Sequence, residues 1–111
     1  MNDIRPFVPR GLPLLVLELV AKLDGAAWAG GMLPAIEKKR GKTTSPQMTI
    51  AIHRLRDFGL IRIAGEAPGI RGPRRKLWEI TEKGKASLQE AMNLYDGFTR
   101  KPDMYDKADA A

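Results

Sequence analysis

The sequence contains no cysteine, which excludes disulfide bridges, thiolate metal sites and cysteine nucleophiles. It has one histidine, His53, and a lone histidine without cysteine is a poor basis for a metal site. The most apolar run, residues 12–23, falls short of the ~20 residues that span a bilayer and carries Glu18 and Lys22. These absences argue against a disulfide-stabilised, metal-binding or membrane-spanning protein, and we expect no membrane partner.

No group of residues has the spacing of a catalytic site. The acidic residues are scattered, and no serine or carboxylate is spaced to act as a partner of His53. The tripeptide at residues 41–43 resembles the end of a phosphate-binding loop, but that motif requires a glycine where Ile36 stands. The sequence therefore favours a protein that is not an enzyme and needs no cofactor.

Positive charge is concentrated in the middle of the chain, which has a formal net charge of +6. Residues 37–85 hold thirteen basic and five acidic side chains, whereas residues 1–36 are balanced and residues 86–111 have a net charge of −2. A middle segment this basic suggests a polyanionic partner such as nucleic acid. A basic surface can also simply keep a protein in solution, so charge alone leaves both interpretations open.

The chain length predicts one domain, at residues 12–98, between a flexible lead at 1–11 and a disordered tail at 99–111. Its first helix is predicted at residues 13–24. This helix is apolar around so much of its circumference that it must be covered on more than one side. The core of a compact monomer and a partner subunit are equally good ways to cover it.

A second, shorter helix is predicted at residues 33–40, with Pro34 in its first turn. Its last turn, residues 38–40, consists of two lysines and an arginine. Cations at a helix C-terminus complement the helix macrodipole, so this cluster either only stabilises the helix or also contacts DNA phosphates.

The clearest helix signals lie at residues 45–58. Ser45 is a preferred N-cap residue, Pro46 suits the first helical position, and Gly59 is typical of the position just past a helix end. Apolar side chains spaced three and four residues apart form one stripe: Met48, Ile52 and Leu55. The stripe predicts a helix that buries one face and presents its polar face to a partner.

Directly after Gly59 the apolar period changes to two, which predicts a strand at residues 60–64. A loop rich in glycine and proline follows at residues 65–73, and a second strand at residues 74–80 completes a hairpin. Thr81 suits the N-cap of a last helix. The apolar residues of that helix recur at three- and four-residue spacing: Ala86, Leu88, Ala91, Met92, Tyr95 and Phe98.

The order helix, short helix, capped helix, strand, loop, strand, helix is that of a winged helix-turn-helix. The sequence thus predicts a mainly α fold with a small β-hairpin (α+β). In this architecture the third helix, residues 45–58, enters the major groove of double-stranded DNA. The hairpin loop, residues 65–75, forms a wing that reaches the DNA backbone or a narrow minor groove.

Two segments resemble a known family. Residues 51–61 (AIHRLRDFGLI) are similar to the A-L-x-R-L-x-x-x-G-L-I pattern of PadR-like and MarR-like regulators. Residues 71–84 (RGPRRKLWEITEKG) are similar to their G-x-P-R-x-x-Y-x-L-T-x-x-G pattern. The resemblance implies a dimeric, cytoplasmic transcription regulator, usually a repressor, which binds a pseudo-palindromic operator. It does not identify a small-molecule effector.

The candidate DNA-binding residues lie at the start and on the polar face of the third helix and in the wing. They are Lys42, Thr43, Thr44, Ser45, Gln47, Thr49, Ile50, His53, Arg54, Arg71, Arg74 and Arg75. Gln47 could pair bidentately with adenine, and Ile50 could meet a thymine methyl group. The basic residues are candidates for phosphate or minor-groove contacts, whereas Arg56 and Lys76 could instead form local salt bridges.

We expect a homodimer formed through the first helix and the C-terminal helix, because both carry apolar residues in excess of a solvated surface. An alternative is a protein-interaction module that kept the winged fold and lost DNA reading. The apolar residues Ile50 and Phe58, predicted to be exposed, motivate that alternative.

Overall fold

The computed structural model describes residues 7–69 and 72–95. Within them the helices and strands are α1 (Leu12–Lys22), α2 (Ala29–Arg40), α3 (Ser45–Asp57), β1 (Ile61–Ala67), β2 (Arg75–Ile80) and α4 (Glu82–Leu94). The helices and the antiparallel β1–β2 hairpin confirm the predicted α+β class and winged-helix order. Residues 1–6 of the predicted lead, Arg71, Phe98 and the predicted tail at 99–111 lie outside the described residues.

Helix α1 lies at the centre of the core. Its side chains Leu14, Val16, Leu17 and Val20 are completely buried. The helix contacts α2, α3, α4 and β2, so the chain itself covers most of its apolar circumference. Of the two ways to cover this helix, packing within the subunit therefore accounts for these four side chains without a partner.

Helix α2 begins four residues earlier than predicted, at Ala29, so that Pro34 lies inside the helix and not in its first turn. The early start passes through Gly30 and Gly31, which are poor helix formers. A Cβ atom at either glycine would collide with the indole ring of Trp28. The two glycines therefore let the Trp28 ring lie directly on the first turn of α2.

Helix α3 begins with a capping box. The N-cap is Thr44 and not, as predicted, Ser45, which is the first helical residue. The Thr44 hydroxyl accepts a hydrogen bond from the Gln47 N–H at 3.3 Å, and the Gln47 side-chain oxygen accepts one from the Thr44 N–H at 2.8 Å. Two otherwise unpaired N–H groups at the start of the helix are thereby satisfied. At the other end Gly59 has a φ of 78°, as expected for a glycine just past a helix.

Strands β1 and β2 form the hairpin, and β1 extends to Ala67, beyond the predicted end at residue 64. Ile61 pairs with Ile80 and Ile63 with Trp78, but Gly65 pairs with Leu77. One residue of β1, Ala64, therefore has no counterpart on β2 and forms a β-bulge.

The free edge of β2 is anchored to the segment that joins α1 and α2. The Trp78 N–H donates to the Ala27 carbonyl at 2.8 Å, and the Gly25 N–H donates to the Trp78 carbonyl at 3.0 Å. The Asp24 carboxylate accepts a further bond from the Ile80 N–H at 3.2 Å. These bonds fix the base of the hairpin against the helical core.

Thr81 is the N-cap of α4, as predicted, and its hydroxyl accepts from the Gly84 N–H at 2.9 Å. The same hydroxyl donates to the Gly59 carbonyl at 2.6 Å, so it ties the start of α4 to the end of α3. Gly84 lies against the backbone of Leu60, where a Cβ atom would overlap the Leu60 carbonyl oxygen. The close approach of these two backbones requires glycine at this position.

The described part of the N-terminal segment packs against the domain, where the sequence predicted a flexible lead. The ring of Phe7 stacks on that of Phe58 with centroids 4.3 Å apart. Pro9 is fully buried. Residues 7–10 thus extend the packed domain beyond its predicted start at residue 12.

Candidate nucleic-acid interface

Helix α3 separates its two faces as the sequence predicted. Met48, Ala51, Ile52 and Leu55 are buried against the core. We call the outward side the reading face and define it as Ser45, Gln47, Thr49, Ile50, His53 and Arg54, of which only His53 is half-buried and the others are exposed. Ile50 is 67% exposed, so an apolar side chain stands in water on a helix that has a complete buried stripe elsewhere.

Two of the predicted contact residues have structural roles at the start of α3. Thr44 is exposed and its hydroxyl is used by the capping box. Thr43 is 3% exposed, its hydroxyl donates to the Gly41 carbonyl at 3.0 Å, and the same hydroxyl accepts from Arg40 at 3.0 Å. The Thr43 side chain stabilises the turn between α2 and α3. Because it is buried, it is not available for the predicted contact with DNA.

Gln47 contributes to the capping box and to the reading face at once. Its side-chain oxygen is occupied by the Thr44 N–H, whereas bidentate pairing with adenine needs both the oxygen and the amide nitrogen. The side chain is nevertheless exposed. It can donate through the nitrogen while the capping box stays intact, which narrows the predicted contact to a single hydrogen bond.

Exposed cations flank the start of the reading face. Lys38 and Lys39 lie in the last turn of α2, and Lys42 lies in the turn that leads to α3. All three are exposed. Arg40 is exposed as well, but its guanidinium donates a hydrogen bond to the Thr43 hydroxyl. Lys38 and Lys39 complement the macrodipole at the end of α2 and remain exposed, so the two roles predicted for this cluster are compatible.

In the wing, Arg74 and Arg75 differ in exposure and in the groups that they contact. The exposed Arg74 donates from Nε to the Glu66 carboxylate at 3.1 Å across the hairpin. Arg75 is half-buried, and its guanidinium carbon lies 3.8 Å from the centroid of the Trp28 ring. Arg74 is therefore held only by an exposed ion pair of the kind that contributes little, whereas Arg75 is stacked on an aromatic ring.

Arginines near the end of α3 also differ. The guanidinium of Arg54 lies 5.4 Å from the centroid of Phe7, which itself stacks on Phe58. Arg56 forms a salt bridge with Asp57 at 2.8 Å, the local partner that the sequence suggested. Arg62 pairs with Glu79 across the hairpin, and that hydrogen bond raises the pKa of the guanidinium above its ordinary value.

A cavity of about 210 Å³ joins α3 to the wing. Thr49 and His53 line it from the reading face, and Arg75 and Lys76 line it from β2. Its remaining walls are apolar or aromatic: Trp28, Ala29, Ile52 and Trp78. The polar residues of α3 and the basic residues of the hairpin therefore border one continuous depression.

Two residues at this surface were not identified from the sequence, Trp28 and Phe7. Each ring lies beside the guanidinium of a predicted phosphate ligand, Trp28 beside the half-buried Arg75 and Phe7 beside Arg54, which stays exposed. For Trp28 a signal existed, because two consecutive glycines after a tryptophan leave room for its ring. For Phe7 the neighbouring prolines concealed it, since they indicated a loose segment.

Other kinds of site find no support in the described ranges 7–69 and 72–95. They contain no group of three or more histidine or acidic side chains arranged to hold a metal ion. Nor does a helix in these ranges combine the length and the apolar character needed to cross a membrane.

No family model matches the sequence, and no curated protein does. Among solved structures, the chain is similar to a PadR-like transcription factor from Bacteroides fragilis, with 23% identity and a TM-score of 0.60 over 71% of this chain and 74% of that one. It is also similar to a transcriptional regulator from Streptococcus, with 15% identity and a TM-score of 0.62 over 89% of each chain. The likeness is one of fold: the chain has the winged-helix fold of PadR-like transcription factors.

Proposed function

We propose that the protein is a transcription regulator that binds double-stranded DNA sequence-specifically, with α3 in the major groove and the wing on the backbone or minor groove. The observation that carries the proposal is the depression shared by Thr49, His53, Arg75 and Lys76. It sets the polar side chains of α3, which can read base edges, beside β2, whose exposed Lys76 can meet a phosphate. The two solved structures, both described as transcription regulators, support it.

The basic residues would supply most of the affinity. Lys38, Lys39 and Lys42 are exposed beside the start of α3, and Arg74 is exposed in the wing. Each cation that neutralises a phosphate releases counterions, which makes binding weaken steeply with salt. The N-terminal end of α3 adds the partial positive charge of the helix macrodipole, which favours a nearby phosphate.

Sequence preference would come from the reading face. Thr49, Ile50 and His53 lie on its exposed or half-exposed part, and Ile50 offers the apolar surface that a thymine methyl group can meet. Ser45 lies at the N-terminal end, where a hydroxyl reaches a phosphate or a base edge. Gln47 contributes one donated hydrogen bond while its oxygen remains in the capping box.

A homodimer would place two such faces on an operator with two-fold symmetry. A groove of about 420 Å³ between α1 and α4 supports this part of the proposal, because Leu88 and Met92 line it. Leu94, at the end of α4, is 56% exposed. Light scattering at micromolar concentration should give twice the mass of the subunit, and a mass of one subunit would remove the dimer from the proposal.

The decisive experiment selects bound fragments from sheared genomic DNA at low salt and measures their affinity by fluorescence anisotropy. We expect one enriched sequence and a linear fall of log affinity with log salt. Arg74→Ala should weaken binding to every sequence and reduce the salt slope by about 1 for each bound subunit. The matched control is Arg62→Ala, because Arg62 is likewise ion-paired across the hairpin but at its base. If no fragment is retained at low salt, DNA binding is wrong.

The protein-interaction alternative keeps both of its apolar residues. Ile50 is 67% exposed, and Phe58 is 43% exposed even though Phe7 stacks on its ring. If the chain retains a protein partner in stoichiometric amounts and Ile50→Ala abolishes that binding, while Arg74→Ala leaves it unchanged, the reading face binds protein and not DNA.

A further inference from the structure

The indole of Trp28 lies between two parts of the chain. Gly30 and Gly31 approach the ring so closely that any side chain there would collide with it. The guanidinium of Arg75 lies over the ring at 3.8 Å from its centroid. This arrangement links the first turn of α2 to the first residue of β2, where the wing meets the sheet.

The hairpin is attached to the rest of the chain at two levels. At the Trp78 level the attachment is made by backbone hydrogen bonds to Gly25 and Ala27. Arg75 lies three residues further towards the wing, beyond the last of these bonds. The stack on Trp28 therefore lies nearer to the wing than these backbone bonds.

We infer that Arg75 is a positioning residue: its stack on Trp28 fixes the wing relative to α3, and Arg75 does not neutralise a DNA phosphate. The inference rests on the proposed DNA binding for its functional consequence, but the stack itself is a property of the free protein. It reverses the role that the sequence indicated for Arg75 while keeping that role for Arg74.

The opposite possibility is chemically well defined. A guanidinium that stacks on a ring keeps its N–H donors at the edge of its plane, where they can still reach a phosphate oxygen. A direct contact and a positioning role differ in what they depend on. A phosphate contact depends on the positive charge, whereas the stack depends on the planar group and on the indole.

The first experiment measures DNA affinity as a function of salt for Arg75→Ala, Arg75→Lys and Arg74→Ala. If Arg75 positions the wing, alanine lowers affinity by about two- to thirtyfold, the usual strength of a cation–π contact. Lysine, which lacks the planar group, then recovers at most part of that loss, and the salt slope of both variants stays that of the wild type. If Arg75 binds a phosphate, lysine restores most of the affinity and alanine reduces the slope by about 1 for each bound subunit, as for Arg74→Ala. That second result would overturn the inference.

The second experiment needs no DNA. Hydrogen exchange of the β1–β2 amides is followed in the free protein for Arg75→Ala, Trp28→Leu and the double variant. We expect each single change to speed exchange at the wing end of the hairpin by about two- to thirtyfold, and the double variant to exchange no faster than the singles. Unchanged exchange, or fully additive effects, would contradict the stack as a device that fixes the wing.

Two further variants keep the test decisive if Trp28→Leu does not fold. Gly31→Ala displaces the indole from its seat and leaves both stacking partners in the chain, and Trp28→Phe keeps an aromatic face for Arg75. Gly31→Ala should speed exchange as Arg75→Ala does, and Trp28→Phe should have a smaller effect; the reverse order overturns the inference. If the wild type retains no DNA, the proposed function fails, and the exchange experiment still decides the stack.

Discussion

The backbone N–H of Thr44 donates to the side-chain oxygen of Gln47 at 2.8 Å, while the Thr44 hydroxyl accepts from the Gln47 N–H. This reciprocal pair of hydrogen bonds defines where α3 begins. Thr44→Ala removes one of the two bonds, and we expect it to lower the free energy of unfolding by about 1 kcal/mol. Urea denaturation measures the change, with Ser45→Ala as control, since Ser45 is exposed and is not the cap. Equal losses in the two variants would contradict the assignment of the cap.

Gln47 permits a test that separates folding from DNA reading. Glutamate also completes a capping box, so Gln47→Glu should keep the free energy of unfolding within about 0.5 kcal/mol of the wild type. It removes the amide donor and adds a negative charge to the reading face, so DNA affinity should fall at least tenfold. Gln47→Ala serves as the matched variant, because it loses the capping bond without adding charge. If the glutamate variant binds DNA as well as the wild type, Gln47 does not face the DNA.

The two ends of α3 show how much of the helix could be predicted from the sequence. The end at Gly59 was predictable, because glycine tolerates the φ of 78° found there. The start was misplaced by one residue, since Thr44 and Ser45 both have cap chemistry. The position of Gln47 three residues after Thr44 carried the missing information, because a capping box has that spacing.

Contacts between segments that are distant in the sequence could not be predicted from it. Nothing local in residues 25–27 predicts that they pair with β2, because the partner, Trp78, is remote in sequence. The stacking of Phe7 on Phe58 is of the same kind. Periodicity identifies a helix face or a strand, but the partner of that face depends on tertiary packing, and this is why the stacking of Arg75 on Trp28 was not predicted.

Gly84→Ala should destabilise the fold by about 1–3 kcal/mol, the usual range for overpacking. The added Cβ overlaps the Leu60 carbonyl oxygen. Because this oxygen belongs to the backbone, the overlap can be relieved only if the whole of α4 shifts away from Leu60. Helix propensity acts in the other direction, since alanine exceeds glycine by about 1 kcal/mol inside a helix. Thermal unfolding checks the outcome, and a stabilised variant would mean that α4 does not lie this close to Leu60.

Gly65→Ala is the control for that change. Gly65 has no heavy atom within 4 Å of an added Cβ, and its φ is not in the left-handed region. Its substitution should alter the free energy of unfolding by no more than about 0.5 kcal/mol.

Ile50→Ala should leave folding intact and change DNA reading. Because Ile50 is 67% exposed, truncating it should change the free energy of unfolding by less than about 0.5 kcal/mol. A lost methyl contact should relax base preference at one operator position, at a cost of about 1–3 kcal/mol for the preferred base. Binding to a set of operators substituted one position at a time measures this. Ile52→Ala, on the buried side of the same helix, should instead lower stability by about 2–5 kcal/mol.

Phe7→Ala tests whether the N-terminal segment belongs to the domain. It removes the ring that stacks on Phe58 and lies under Arg54, and Phe7 is half-buried. We expect a loss of about 1–3 kcal/mol, less than for a fully buried phenylalanine. Phe7→Leu, which keeps apolar bulk, should recover part of it. If the variant is as stable as the wild type, residues 7–10 do not contribute to the stability of the domain.

The bulge at Ala64 separates the base of the hairpin from its outer part. Side chains alternate across a strand, but Ile63 and Gly65, two residues apart, pair with the adjacent residues Trp78 and Leu77, which face opposite sides of the sheet. Adding two residues to each strand beyond the bulge would lengthen the hairpin, keep the pairing of Ile63 with Trp78 and leave every outer side chain on its present side. Adding one residue to each strand would also lengthen the hairpin but turn its outer side chains over. The reach of the hairpin and the side chains that it presents can therefore be changed separately.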